Sequence, residues 1–167
     1  MNTGQMMLSL GAMILLSFLI LRVNGSQLTT QDTMQNTKFG ILAVSLASSV
    51  LESASEKAYD EKSAGNFVSK LSKLTDENKF GTDGGEDPDS ISTFDDFDDF
   101  DGYTVADSSL PSAVFNINCK VQYVDPDVGG FVTSNKTWHK MLTVTVSSPS
   151  MMDTIKMSKV FSYWKLP

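Results

Sequence analysis

The sequence predicts an α+β protein: a long N-terminal helix, its first half embedded in a membrane, packed on a C-terminal antiparallel β-sheet of three to four strands. Three observations carry this. An uncharged apolar run lies near the N-terminus, an apolar face of helical period follows between Phe39 and Ala58, and period-two alternation begins after Pro111. With 167 residues, 41% hydrophobic and 20% charged, the chain has room for one domain with attachments. Four segments follow: residues 1–25, a leader and transmembrane helix; 26–75, an amphipathic helical stretch; 76–111, an acidic Gly/Asp-rich loop; and 112–167, the sheet.

The membrane segment runs from Met6 to Leu21, MMLSLGAMILLSFLIL, sixteen residues without a charge. At about 1.5 Å per residue it spans roughly 24 Å, and its flanks bring it near the ~30 Å hydrocarbon core. Val23 and Gly25 also give the small-residue spacing of a cleaved secretory signal ending before Ser26. The five residues before the run hold no Lys or Arg, however, and Arg22 sits beyond it, so a retained anchor is the expectation. Either layout exports the remainder.

All five prolines fall at position 88 or later, so nothing before them breaks a helix. Phe39, Leu42, Ala43, Leu46, Ala47, Val50, Leu51, Ala54 and Ala58 recur at steps of three and four, one face of an amphipathic helix. Residues 24–38 are polar and rich in weak helix formers, and are expected to be helical only when packed.

Twelve of the twenty carboxylates lie between Asp76 and Asp107, with Lys79 the only base among them. Gly81, Gly84, Gly85, Pro88 and Gly102 interrupt that stretch, which predicts a long loop. Within it Phe94, Phe97, Phe100 and Tyr103 recur every third residue. That spacing suits a 3₁₀ turn or an extended three-fold conformation, with rings on one side docking the loop and carboxylates on the others.

Beyond Pro111, Phe115, Ile117, Cys119, Val121 and Tyr123 alternate with polar residues as a half-buried strand, and Asp125, Pro126, Asp127, Gly129 and Gly130 make a turn. A second strand covers His139 to Ser147, a third Thr154 to Trp164, and a weaker one Phe131 to Trp138. Short connections imply antiparallel pairing, with one sheet face free to pack on the helix.

The chemistry this composition permits is narrow. A net charge of −7 without a basic stripe argues against nucleic acid. One cysteine and one histidine allow neither a disulfide within the chain nor a Cys/His zinc site. His139 has no neighbouring triad partner, and Cys119 reads as a small buried hydrophobe. No phosphate loop or serine elbow is present, so neither an enzyme nor a small-molecule substrate is expected. The Asp-rich stretch is the one constellation for a cofactor: calcium takes six to eight oxygens, and Asp95, Asp96, Asp98, Asp99 and Asp101 are its candidate ligands. The other reading is a solvated acidic surface, since Phe97 and Ser108 fall where an EF-hand loop needs carboxylates.

A short polar leader ending in Gly4, an apolar helix extended by an amphipathic half, a variable loop and a C-terminal antiparallel sheet occur together in type IV pilins and in the pseudopilins of type II secretion, which this chain resembles. The stretch His139 to Trp164, HKMLTVTVSSPSMMDTIKMSKVFSYW, is similar to the last strands of minor pilins and pseudopilins. The resemblance implies a pilin-like fold and cleavage between Gly4 and Gln5 by a prepilin-type peptidase. Lys or Arg is absent before Gly4, and Ser9 stands where the family has a glutamate at the fifth mature position, which implies a minor or divergent subunit. The implied function is a membrane-anchored, exported structural subunit of a type IV pilus-like or pseudopilus-like filament. Its partners would be copies of itself or other pilin-like subunits. It would sit as a single-pass inner-membrane protein with a periplasmic or extracellular domain, or in a cell-surface filament. A non-polymerising, membrane-anchored binding module stabilised by calcium is the alternative.

Overall fold

A computed structural model describes residues 2–109, 113–129 and 131–164. Leu110, Pro111 and Ser112, where the acidic segment is expected to give way to the sheet, lie outside the described residues, as does Gly130 of the predicted turn. The chain divides into two compact units at Lys38 and Phe39.

One helix, α1 (Thr3–Ser55), covers the first unit and enters the second. Residues 24–35 are helical, and all are exposed within the chain. Their hydroxyls explain part of this. Thr29, Thr30, Thr33 and Thr37 each donate to the carbonyl four residues back, at 2.8–3.1 Å, so the groups that usually compete with a helix are satisfied inside it.

In the second unit α1 buries Phe39, Ala43, Ala47, Val50, Leu51 and Ala54, with Leu42 and Leu46 partly buried beside them. The predicted face is therefore present, but the helix stops at Ser55 rather than reaching Ala58. The Ala58 amide instead donates to the Asp95 carbonyl at 3.1 Å, and Ala58 bridges Asp96. Tertiary pairing with the acidic turn competes successfully against one more helical turn. Residues 56–75 are irregular, holding 3₁₀ turns at Glu61–Ser63 and Leu71–Lys73, so the helical part of the 26–75 segment ends well before its limit.

The sheet consists of β1 (Thr104–Asp107), β2 (Phe115–Asp125), β3 (Phe131–Val132), β4 (His139–Ser147) and β5 (Ile155–Ser162), all antiparallel. The order is β1-β2-β4-β5, with β3 paired to the end of β2. β1 falls inside the segment expected to be loop. Its four half-exposed residues are too few for period two to be visible in sequence, and it forms because β2 offers an open edge. The weak strand expected over 131–138 shrinks to two residues.

Phe115, Ile117, Cys119, Val121 and Tyr123 face inward from β2, as their alternation predicts. Cys119 pairs with Val144 and Val121 with Leu142. Those positions, with Val146, form one cluster with the buried helix face. Phe39 meets Phe115 edge-on, with ring centroids 6.4 Å apart. Phe94, Phe97, Phe100 and Tyr103 complete the cluster, which fixes the acidic turn against the domain.

Candidate functional site

Two features stand out: the exposed apolar stretch of α1, and a buried charge network beneath the acidic turn. α1 is long and apolar enough to cross a membrane, and none of its most apolar stretch is buried. Ser9 and Ser17 do not interrupt it, because each donates its hydroxyl to a carbonyl of the preceding turn.

The acidic turn is built by its own aspartates. Asp96 Oδ1 accepts from the amides of Asp98 and Asp99, at 2.7 and 3.2 Å. Asp99 Oδ2 accepts in return from Asp95 and Asp96, at 3.0 and 2.9 Å. This reciprocal capping closes the 3₁₀ turn Asp98–Phe100 and sends the rings of Phe94, Phe97 and Phe100 inward. Gly102 follows at φ +80°, a conformation a Cβ would strain, and its amide reaches the Cys119 carbonyl on β2.

Three of the predicted ligands, Asp96, Asp98 and Asp99, are buried, whereas Asp95 is exposed and Asp101 intermediate. The five do not converge on one point. Asp98 turns inward to Lys140, 2.6 Å from Oδ1 to Nζ. Asp101 turns to β2, taking the Val121 amide at 2.8 Å and the Lys120 ammonium at 3.1 Å. The remaining three fall into two groups, each with carboxylate oxygens within 4.8 Å of one another: Glu61, Asp95 and Asp96, and Glu86, Asp95 and Asp99. Each group supplies about half the oxygens calcium takes.

Lys140 is the centre that sequence reasoning misses. It is fully buried, and its Nζ donates to Asp98 Oδ1, to Asp60 Oδ2 at 2.9 Å and to the Tyr59 carbonyl at 3.0 Å. The Tyr59, Phe80 and Tyr123 rings surround the ammonium, with centroids 4.7, 5.0 and 5.7 Å away. Asp60 is also held by the amides of Lys62 and Thr75 and the Thr75 hydroxyl. One signal was available: Lys140 occupies the inward parity of β4 shared by Leu142, Val144 and Val146. Its partners lie 42 and 80 residues away, which no local pattern reveals.

The electrostatics follow from burial. Burial raises the Asp60 carboxyl, but the Lys140 charge and the surrounding hydrogen bonds outweigh it and hold the group below the usual range. For Asp98 burial wins over the lysine and the carboxyl is raised. Asp96 is pushed up to about 9, first by burial and then by the charge of Asp98, to which its side chain is hydrogen-bonded. Asp99 reaches about 7 through burial and the charge of Glu86, against the two amides it accepts. Cys119 is buried as predicted, and burial moves its thiol up to about 12, which makes it a poor nucleophile. His139 is half-buried, its Nδ1 2.7 Å from Ser162 Oγ.

No protein-family model matches the chain, and neither a curated protein nor a solved structure does.

Proposed function

We propose that this chain is a membrane-anchored, exported structural subunit of a type IV pilus-like or type II secretion pseudopilus-like filament. One observation carries the reading: a single helix, Thr3–Ser55, has an exposed apolar first part and a later part packed on an antiparallel sheet. An apolar helix with no protein covering it needs lipid or copies of itself, and a filament core supplies the second after a membrane has supplied the first. Ser9, bonded within its own helix, leaves no charge at the position where pilins carry glutamate, which fits a minor or divergent subunit.

The test is the first residue of the mature protein, read by mass spectrometry. Cleavage between Gly4 and Gln5, leaving residues 6–21 intact, supports the filament subunit. An uncut Met1 keeps the anchor but removes the pilin assignment. A start at Ser26 sinks the proposal, because no helix is left to assemble.

The two carboxylate groups around Asp95 favour a second reading, a calcium-stabilised binding module that is anchored but does not polymerise. Calcium would then raise the melting temperature by mass action, with chelator reversing it. Calorimetry of the chelated protein that detects no binding at millimolar calcium would leave the turn as an acidic surface only.

A further inference from the structure

We propose that the side chains of Lys140 and Asp98 join as an intramolecular amide, a covalent staple between β4 and the acidic turn. The Lys140 Nζ and Asp98 Oδ1 atoms are 2.6 Å apart, and both side chains are buried, at 0% and 4% exposure. This inference is independent of the filament reading, since any exported or membrane-bound protein with this geometry could carry the bond.

Amide formation from an acid and an amine expels water, and in bulk water the equilibrium runs toward hydrolysis. The pocket opposes that. The rings of Tyr59, Phe80 and Tyr123 line it, and a site that excludes water both discourages hydrolysis and strengthens each polar contact inside it. Fixing both groups in the folded core also turns a bimolecular condensation into an intramolecular one, where well-oriented pairs reach effective concentrations of about 10⁵ M or more.

A proton acceptor is already in place. Asp60 Oδ2 lies 2.9 Å from the same nitrogen, held on its other sides by Thr75 and Lys62. One ammonium proton passes along the 2.6 Å contact to Asp98 Oδ1, leaving a neutral amine beside a neutral acid. The nitrogen then attacks Cγ of Asp98, forming the C–N bond. The attacking nitrogen, now cationic, gives its second proton to Asp60, which returns it to the departing hydroxyl, so the C–O bond breaks with loss of one water. The ammonium and carboxylate together hold the elements of that water, so no oxidant, cofactor or net proton is needed. Asp96 positions the electrophile: its Oδ1 accepts the Asp98 amide at 2.7 Å and fixes the turn that aims the carboxyl at Lys140. The one cysteine cannot form a disulfide within the chain, and the amide would supply a covalent tie between segments 42 residues apart.

The experiment is peptide mapping and intact mass of the full-length protein, extracted in detergent and fully denatured. The expected mass is lower by one water than that of the sequence counted from its actual first residue. The digest should contain the Asp98 peptide joined to the Lys140 peptide. Lys140→Arg keeps the charge and should return the full mass with both peptides separate. Asp60→Asn removes the proton acceptor, and linking should slow by roughly 100-fold or more, read as the linked fraction against time after synthesis. An unmodified wild-type mass with the two peptides free overturns the proposal. So does a lost water that maps to a cyclic imide at Asp83–Gly84 or Asp101–Gly102 instead of a link between peptides.

Discussion

Asp96→Asn should flatten the pH dependence of stability of protein in which Lys140 and Asp98 are not linked. Asp96 is 2% exposed, and its carboxyl is pushed up to about 9 by burial and by Asp98. An unfolded aspartate titrates near 3.9, so between roughly pH 4 and pH 9 the folded state holds a proton that the unfolded state has lost. Stability must then fall as pH rises through that window. One such proton sets a slope of at most about 1.4 kcal/mol per pH unit, an upper bound of ~4 kcal/mol from pH 5 to pH 8. Screening at an effective dielectric of about 20 leaves an expected ~1–2 kcal/mol. Asp60 does not blur the result, because its lowered carboxyl contributes stability that is lost only as pH falls through acidic values, and the raised Asp98 and Asp99 leave a residual slope of the same sign in both proteins. The substituted carboxamide would keep an oxygen to accept from the amides of Asp98 and Asp99 while removing the titration. Urea unfolding of the full-length protein in detergent with chelator, followed by fluorescence of Trp138 where it stacks on Tyr163, measures both slopes. A variant as steep as wild type between pH 5 and pH 8 would refute the assignment of that proton to Asp96.

Measured against protein whose Lys140 and Asp98 are not linked, Lys140→Met strands the Asp60 and Asp98 carboxylates in the core and should cost about 3–5 kcal/mol in the same assay, out of a typical ~5–15. Adding Asp98→Leu should recover part of the loss, because it removes one uncompensated charge; no recovery would argue against the ion cluster as the cause. Val50→Asp buries a charge at a position 4% exposed and should unfold the sheet-bearing unit, whereas Leu46→Asp, at the half-buried rim, should cost less. Circular dichroism of both variants checks the order, and equal losses would mean that the rim and the centre of the helix face are not distinguished.

The helix face, the inward side of β2, β4 and the ring stripe were all legible in sequence, because each is a local periodicity imposed by one apolar surface on a regular backbone. The apolar run was legible for a simpler reason: sixteen uncharged residues suit lipid whatever follows them. The places where reading failed share a cause. β1 exists because β2 presents an unpaired edge, and α1 ends at Ser55 because Ala58 finds a backbone partner in the acidic turn. The acidic run looked uniform, yet the fold gives its members different tasks: Asp98 to Lys140, Asp101 to β2, Asp96 and Asp99 to the turn itself, and Asp95 to the surface. Composition can count carboxylates, but the fate of each depends on which cation or amide the fold brings within about 3 Å, an interaction that decays with distance in space and carries no trace in sequence separation. The partners of the buried Lys140 were decided by tertiary structure alone.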